Sequence, residues 1–234
     1  GLFGACSTMA EGLALGAALC EGGAARNLLA MASSHFCAAE RQFRTPLSYG
    51  AVRTPTAQWT ATAAGCCLLQ PQGEGVGIAA ATFGRVQDYQ VKDINNMGAA
   101  MAPAAASTLL HYFKDTGTEP QEFDCIYTGD LGQVGSQLLR ELLAAEGLLI
   151  KNHVDCGCIL FDANEQSVKS GGSGPGCCAA VLCGHILPRL RRGSQKRVLF
   201  TATGALMSQT TFLQKETIPA VAHLVELRAP EKEK

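Results

Sequence analysis

Gly4-Ala5-Cys6-Ser7-Thr8 places a cysteine between a short apolar lead-in, which we predict to be a strand, and an Ala- and Leu-rich helix over residues 9–19. The helical segment has small residues on nearly every side and ends at Gly22-Gly23, so it is predicted to be buried in a larger fold. A thiol in the first turn of such a helix faces free N–H groups and the positive end of the helix dipole. Both favour the thiolate, and we expect a lowered pKa for Cys6. The alternative is a small buried cysteine that only packs.

Composition excludes several classes of protein. The 234 residues are 47% hydrophobic and 17% charged, which is enough for one domain with a full core or two small ones. The formal net charge is −1 and only 6% of residues are aromatic, so nothing favours nucleic-acid binding. The longest apolar run, 177–187, is far short of the ~18 residues of a membrane-spanning helix. With no secretory signal pattern, we expect a cytoplasmic protein.

The cysteines favour a reduced compartment. The chain has 11 of them, an odd number, and the clusters Cys66-Cys67, Cys156-Gly157-Cys158 and Cys177-Cys178 lie inside apolar runs. Such a pattern is typical of free thiols rather than a disulfide framework. No pair has zinc-ribbon spacing with a matching second pair, so we expect neither a metal site nor a cofactor.

Strand-like and helix-like segments alternate along the chain, which predicts an α/β fold with mixed sheets. The predicted strands are 27–32, 65–69, 75–86, 123–128, 156–161, 198–202 and 221–227. The predicted later helices are 97–113, in which Pro103 lies in a first turn or kinks the helix, 135–146 and 177–192. A polar loop is predicted over 40–60.

An internal comparison points to a duplication. An offset of 171 residues, from position 6 to position 177, aligns identical residues without a gap. They are Cys6 with Cys177, Leu19 with Leu190, Gly22 with Gly193, Arg26 with Arg197 and Leu28 with Leu199. In both copies a glycine-containing turn precedes a helix, the helix ends at glycine, and an arginine precedes an apolar strand. This shared order favours a duplicated half-domain.

Seven short segments, spread from one end of the chain to the other, carry a more specific resemblance. They are 2–8 (LFGACST), 33–35 (SSH), 39–44 (AERQFR), 97–98 with 100–106 (MG, AMAPAAA), 128–131 (TGDL), 170–174 (SGGSG) and 202–205 (ATGA). With the duplication, they resemble the stage V sporulation protein AD family, a branch of the thiolase and β-ketoacyl synthase superfamily. The resemblance implies a layered α-β-α-β-α, thiolase-like α/β fold of two duplicated half-domains.

The resemblance also sets the expected domain boundaries. Residues 1–72 would be the C-terminal part of a first, incomplete half-domain, 73–230 the second half-domain, and 231–234 a solvated tail. Because the chain opens one element before its central cysteine, we expect the family's N-terminal part to be missing.

In function, the resemblance implies a role in bacterial spore formation. The expected ligand is dipicolinic acid (pyridine-2,6-dicarboxylate), free or as its calcium chelate, and the expected role is assistance in its uptake into the developing spore. Membrane proteins of the same sporulation operon are the implied partners, with peripheral association at the spore inner membrane. A homodimer stays open.

The catalytic partners of the superfamily are missing from this sequence. Condensing enzymes pair the cysteine with a histidine and an asparagine, or with two histidines. The corresponding turns here are Thr128-Gly129-Asp130-Leu131 and Gly171-Gly172-Ser173-Gly174, and Thr203-Gly204 stands where true thiolases have a second cysteine. We therefore predict a fold used for binding rather than condensation. The alternatives are an acyltransferase or condensing enzyme that uses Cys6, and a scaffold that docks on membrane partners without a ligand.

The expected ligand-binding residues follow from these positions. They are Cys6, Ser34, His35, Arg41, Arg44, Asp130 and Thr203. His35 follows a strand end, where side chains reach a cleft in doubly wound sheets. Arg41 and Arg44 offer forks that match carboxylates. A satisfied structural histidine and a solvated arginine loop are the alternatives, and no catalytic residue is assigned beyond Cys6 at the nucleophile position.

Overall fold

The structure, a computed structural model, describes residues 1–43 and 52–230. Strands and helices alternate within them, which confirms the predicted α/β class. The strands are β1 (Leu28–Ser34), β2 (Trp59–Thr60), β3 (Ala63–Leu69), β4 (Gly77–Thr82), β5 (Cys125–Gly129), β6 (His153–Asp155), β7 (Gly172–Ser173), β8 (Arg197–Ala205) and β9 (Ala220–Arg228). The helices are α1 (Thr8–Glu21), α2 (Phe36–Phe43), α3 (Met97–Thr116), α4 (Gly132–Ala145), α5 (Cys156–Leu160), α6 (Pro175–Val181), α7 (Leu187–Arg191) and α8 (Gln209–Leu213), with a 3-10 turn at Ala5–Ser7 and a π-helical turn at Leu182–Ile186.

Two sheets form the framework. The larger has the strand order β4-β9-β8-β5-β6, in which β5 is parallel to β6 and β8, while β9 is antiparallel to β8 and β4. The smaller sheet pairs β1 antiparallel with β3, with Leu28 opposite Leu69 and Ser34 opposite Ala63. A short parallel pairing joins β2 to β7. The larger sheet is therefore mixed, as predicted.

Helices α1 and α6 lie between the two sheets. Their buried residues join those of both sheets in one core, which includes Leu13 of α1, Ala179 of α6, Ala30 of β1 and Phe200 of β8. Helix α1 has small or apolar residues on most of its surface, so it can pack on two sides at once. This central position is what the sequence predicted for the helix that follows Cys6.

Helices α3 and α4 cover the other face of the larger sheet. Leu109 of α3 and Leu139 of α4 pack with Leu199 of β8 in a second core. The two helices approach closely at a glycine pair, because a Cβ added to Gly135 would lie 2.9 Å from the Cα of Gly98. The order of layers is thus two-stranded sheet, helices, five-stranded sheet, helices.

Three local predictions are wrong. Residues 156–160 form helix α5 rather than a strand, because the carboxylate of Asp155 accepts a hydrogen bond from the N–H of Gly157 at 3.0 Å and begins a helix there. The lead-in to Cys6 is a 3-10 turn with Ala5 in the left-handed region, rather than a strand. Residues 40–43 continue helix α2 instead of opening a loop. Helix α3 also continues through Pro103, which lies in its interior.

The expected domain division stays a prediction. The two-stranded sheet falls within 1–72 and the five-stranded sheet within 73–230, while the β2–β7 pairing joins the two segments. The expected tail, 231–234, lies outside the described residues. Cys6 precedes α1 and Cys177 lies within α6, and the two helices share one core, but the duplication itself is not tested by this arrangement.

Candidate functional site

A cavity of about 560 Å³ opens beside Cys6. Its walls are largely apolar and include four of the chain's five methionines, which adapt well to irregular ligands. The apolar lining is formed mainly by Leu2, Phe3, Met31, Ile94, Met97, Met101 and Met207, and the polar lining by Cys6, Ser33, Ser34, His35, Arg53, Gln58, Asn95 and Ser173. No acidic side chain occurs in the lining that the structure describes. A cavity of this size and character suits a small ligand with an apolar body.

Cys6 sits in the 3-10 turn just before α1. Its Sγ lies 4.0 Å from the Oγ of Ser173, on the strand β7 that precedes α6. The hydroxyl of Ser7 donates to the carbonyl of Gly4 at 2.6 Å and fixes the turn. The turn also lies against β8, where a Cβ at Gly204 would overlap the carbonyl oxygen of Gly4. Cys6 is therefore placed at the junction of both halves of the chain.

The prediction of a lowered pKa for Cys6 is wrong. Burial and the nearby Asp130 carboxyl raise the pKa of the thiol far above its ordinary value, and the Gly174 N–H and Ser173 hydroxyl oppose this only in part. The helix dipole contributes only about 0.3–1 kcal/mol, whereas a thiolate in a largely apolar cavity wall beside a carboxyl loses part of its hydration. Cys6 is thus a thiol rather than an activated nucleophile.

Asp130 lies behind Cys6, away from the cavity lining. Its side chain is 0% exposed, its φ is 65°, and neither carboxyl oxygen has a hydrogen-bond partner among the described residues. Burial, and then the neighbouring Asp155, raise the pKa of Asp130 well above its usual range. Both causes act against the charged form of this carboxyl.

Asp155 fixes the turn that carries Asp130, a role that the sequence analysis missed. Its carboxylate accepts hydrogen bonds from the Thr128 hydroxyl at 2.7 Å and from the backbone N–H groups of Leu131 at 3.0 Å, Gly132 at 2.9 Å and Gly157 at 3.0 Å. Burial raises the pKa of Asp155 to about 6, since these four bonds offset only part of the lost hydration. The two aspartates therefore differ: Asp155 accepts four hydrogen bonds from a hydroxyl and three backbone N–H groups, whereas Asp130 has only the thiols of Cys177 and Cys6 beside it.

Ser34 and His35 line the cavity at the end of β1. The Ser34 hydroxyl donates to the carbonyl of Ala61 at 2.7 Å and accepts from the N–H of Gly176 at 3.0 Å, so it also ties β1 to the start of α6. His35 is exposed at the cavity wall. The structure thus brings together Cys6, Ser34 and His35 from the expected set.

The other expected residues lie elsewhere. Thr203 is fully buried and its hydroxyl donates to the carbonyl of Gly129, which places it behind the cavity as part of the framework. Arg41 falls on helix α2, and Arg44 lies outside the described residues.

Arg53 is a cavity residue that the sequence analysis did not select. Its guanidinium lies 4.0 Å from the ring centroid of Trp59, which stacks on Phe36 at 4.7 Å, and its Nη1 donates to the carbonyl of Gln58 at 3.0 Å. The signal in the sequence was the chain's only tryptophan close to an arginine. This stack holds a cation at the cavity wall.

Two features are absent from the part of the chain that the structure describes. Across residues 1–43 and 52–230, no three histidine, cysteine or acidic side chains are grouped so that they could hold a metal ion. In the same part of the chain, no helix combines the length and apolar character that a membrane span requires.

The layered fold and the cysteine turn define a thiolase-like protein. The structure is similar to the tetronic acid condensing enzyme AbyA1, with a TM-score of 0.57 and 15% identity over 97% of this chain and 67% of that one. It is similar also to 3-oxoacyl-[acyl-carrier-protein] synthase III from Aquifex aeolicus VF5, with a TM-score of 0.55 and 13% identity over 96% of this chain and 65% of that one. These matches confirm the predicted thiolase-like fold.

Sequence comparison narrows this class to one family. The family model for Stage V sporulation protein AD matches residues 1–228. The chain is 44% identical over 223 residues to Stage V sporulation protein AD of Bacillus subtilis (strain 168), an alignment that covers 95% of this chain and 66% of that protein. The chain therefore belongs to the stage V sporulation protein AD family, as its motifs predicted, and is a thiolase-fold sporulation protein.

Proposed function

We propose that this chain binds dipicolinic acid in the Cys6 cavity and assists its uptake into the developing spore, without catalysing acyl transfer. The observation that carries the proposal is the cavity itself. Its volume and methionine-rich walls suit a flat aromatic ring, and its described lining holds the cation of Arg53 and the imidazole of His35 but no acidic side chain. A dicarboxylate entering it meets donors and no repelling carboxylate at the surface.

The state of Cys6 supports binding over condensation. Superfamily enzymes need a nucleophile and donors for a developing oxyanion. Here the pKa of Cys6 is raised by burial and by Asp130, and the Ser173 hydroxyl lies 4.0 Å from its sulfur. The alternative, an acyltransferase that uses Cys6, is supported only by the fold and by the cysteine at the nucleophile position.

The remaining parts of the proposal rest on family membership. We propose membrane proteins of the same sporulation operon as partners, and peripheral association with the spore inner membrane from the cytoplasmic side. The proposed ligand is the free acid or its calcium chelate, and the titration below distinguishes the two.

A titration of the purified protein by calorimetry tests the proposal. Dipicolinate is expected to bind, and pyridine-3-carboxylate, which has a single carboxylate, to bind at least about tenfold more weakly. Repeating the titration with and without calcium ions separates the free acid from the chelate. Arg53→Gln should weaken binding about 10- to 100-fold, whereas Arg192→Gln, an exposed arginine after α7, should leave it unchanged.

A second arm tests the alternative. The protein is incubated with acetyl-CoA and a longer acyl-CoA, and the intact mass is measured. An acyl group on Cys6 would favour the enzyme, and the absence of heat with dipicolinate in either condition would favour a scaffold without a ligand.

A further inference from the structure

Two cysteines outside the Cys6 cavity lie within reach of each other. Cys67 is on β3, where its neighbour Cys66 occupies the exposed face of the two-stranded sheet. Cys183 belongs to the π-helical turn between α6 and α7. Their Sγ atoms are 3.9 Å apart although 116 residues separate them in the chain. Bond formation would require the sulfur atoms to close from this contact to about 2.05 Å.

The surroundings of this pair make one sulfur the better nucleophile. With Cys67 as the donor in the contact between the two thiols, that hydrogen bond lowers the pKa of Cys183 despite its burial, and the Arg191 guanidinium acts in the same direction. The same contact raises the pKa of Cys67. Both side chains are only partly buried, so small oxidants can reach them. An accessible thiolate beside a second, resolving cysteine is the arrangement that redox-sensitive sites share.

We propose that Cys67 and Cys183 are a redox-modification site, which forms a reversible disulfide when the protein meets a peroxide. The Cys183 thiolate attacks one peroxide oxygen, the O–O bond breaks, and a sulfenic acid and a hydroxide ion form. The hydroxide takes up the proton that Cys183 had released and becomes the first water. Cys67 then attacks the sulfenic sulfur as its thiolate, and the departing hydroxide takes up the proton that Cys67 released. In total two thiols are oxidised, and one hydrogen peroxide is reduced to two waters.

The disulfide would stabilise the two-stranded sheet, which packs on helices through one face only. Sheet β1–β3 has one face packed on the central helices, and the bond would tie β3 covalently to the turn between α6 and α7. Because the linked residues are far apart in sequence, closing this loop restricts the unfolded chain strongly. A π-helical turn is a frequent location of functional side chains, which fits its use as the anchor.

The experiment treats the purified chain with hydrogen peroxide, blocks the remaining thiols under denaturing conditions, and maps the peptides by mass spectrometry. Trypsin leaves Cys66 and Cys67 on one peptide, 54–85, and Cys183 with Cys177 and Cys178 on another, 170–189. We expect these two peptides to be joined with the loss of two hydrogens, and dithiothreitol to separate them. The oxidised protein should have a higher melting temperature than the reduced protein.

Single substitutions identify the pair within those peptides. Cys67→Ser and Cys183→Ser should each abolish the link and the shift in melting temperature. Cys66→Ser and Cys37→Ser, which replace exposed cysteines, should leave both unchanged. As a measure independent of the variants, iodoacetamide should modify Cys183 of the reduced protein at neutral pH about tenfold faster than Cys37.

Other outcomes would overturn the proposal. A link that persists in Cys67→Ser but disappears in Cys66→Ser would show that Cys66, and not Cys67, forms the disulfide. Cys183 could instead be oxidised to sulfinic acid without any link, or links could form only between separate molecules. Either result would show that Cys67 is not the resolving cysteine. Equal alkylation rates at Cys183 and Cys37 would show that Cys183 is not the reactive thiolate that the proposal requires.

Discussion

The two sheets of this protein differ in how they are covered. The five-stranded sheet has α1 and α6 on one face and α3 and α4 on the other, and every residue of β9 from Ala220 to Leu227 is buried. The two-stranded sheet packs on helices through one face alone, and buried and exposed residues alternate along β1. Continuous burial and alternation are the patterns expected of a doubly covered and a singly covered sheet.

The outer face of the smaller sheet is nevertheless apolar. Leu29 and Leu68, each 59% exposed, stand opposite each other on the two strands. The outward positions of β1 and β3 hold no charged residue. We therefore expect the larger sheet to contribute most of the stability of the described structure, whereas the smaller sheet depends on the contacts of its inner face.

The first prediction compares the same substitution, leucine to alanine, at a buried position of the larger sheet and at an exposed position of the smaller sheet. Leu199→Ala on β8 removes a fully buried side chain that packs among α3 and α4, and should lower the free energy of unfolding by about 2–5 kcal/mol. Leu29→Ala on the outer face of β1 should change it by less than about 0.5 kcal/mol. Urea denaturation of both variants measures the difference, and similar losses would contradict the comparison.

The second prediction concerns a buried ion cluster in the larger sheet. Glu226 of β9 is 2% exposed and accepts hydrogen bonds from the Tyr112 hydroxyl, from Arg197 Nε at 2.7 Å and from Arg228 Nε at 2.6 Å. Glu226→Gln keeps the shape but removes the charge that these bonds engage. We expect a loss of about 1.5–3 kcal/mol in the free energy of unfolding at neutral pH.

The loss of unfolding free energy in Glu226→Gln should also depend on pH. Burial alone would raise the pKa of Glu226, but the bonds from Arg197, Tyr112 and Arg228 overcome it and hold the pKa at about 2. The unfolded chain has a glutamate pKa of about 4.3, so the folded state binds the proton less tightly. Stability from Glu226 is therefore complete above pH ~4.3 and is lost as the pH falls toward 2. The gap between wild type and variant should close across this window; a constant gap would exclude the ion cluster as its cause.

The sequence predicted most of what forms locally. The amphipathic pattern of α4, the buried strands β5, β8 and β9, and the cysteine turn before a buried helix are all present close to their predicted bounds. Each of these depends on periodicity or on an end signal that neighbouring residues supply. Helix α5 was missed because a short apolar run fits a strand or a helix equally, and the cap from Asp155 decided between them.

The chemistry of the site depended on residues that are distant in the chain. The motif around Cys6 predicted a lowered pKa, but Asp130 and the burial of the turn, which arise from tertiary packing, raise it. The four bonds to Asp155 and the stacking of Arg53 on Trp59 also join separate segments. The resemblance had already placed Asp130 in one site with Cys6, but local patterns contain no information about how deeply a turn is buried, so the direction of the Cys6 pKa shift was not predictable.

The third prediction tests how Asp130, which follows β5 of the larger sheet, affects the reactivity of Cys6. Asp130→Asn removes the carboxyl that raises the pKa of Cys6, and should speed alkylation of Cys6 by iodoacetamide at mildly alkaline pH about tenfold, the equivalent of one pKa unit. The exposed Cys37 in the same sample serves as the internal control. An unchanged rate at Cys6 would assign its low reactivity to burial alone.

The smallest effect on stability is expected at the outer face of the smaller sheet. Leu68→Lys places a charge on an exposed strand position, and should change the free energy of unfolding by less than about 0.5 kcal/mol. It should nevertheless reduce concentration-dependent self-association, because exposed apolar sheet faces promote contact between molecules and a lysine opposes it. Leu149→Lys is the matched control, since Leu149 is 58% exposed but lies between α4 and β6. Sedimentation velocity of both variants gives the readout. If both reduce association equally, net charge rather than the uncovered sheet face is responsible, and the difference between the two sheets has no consequence in solution.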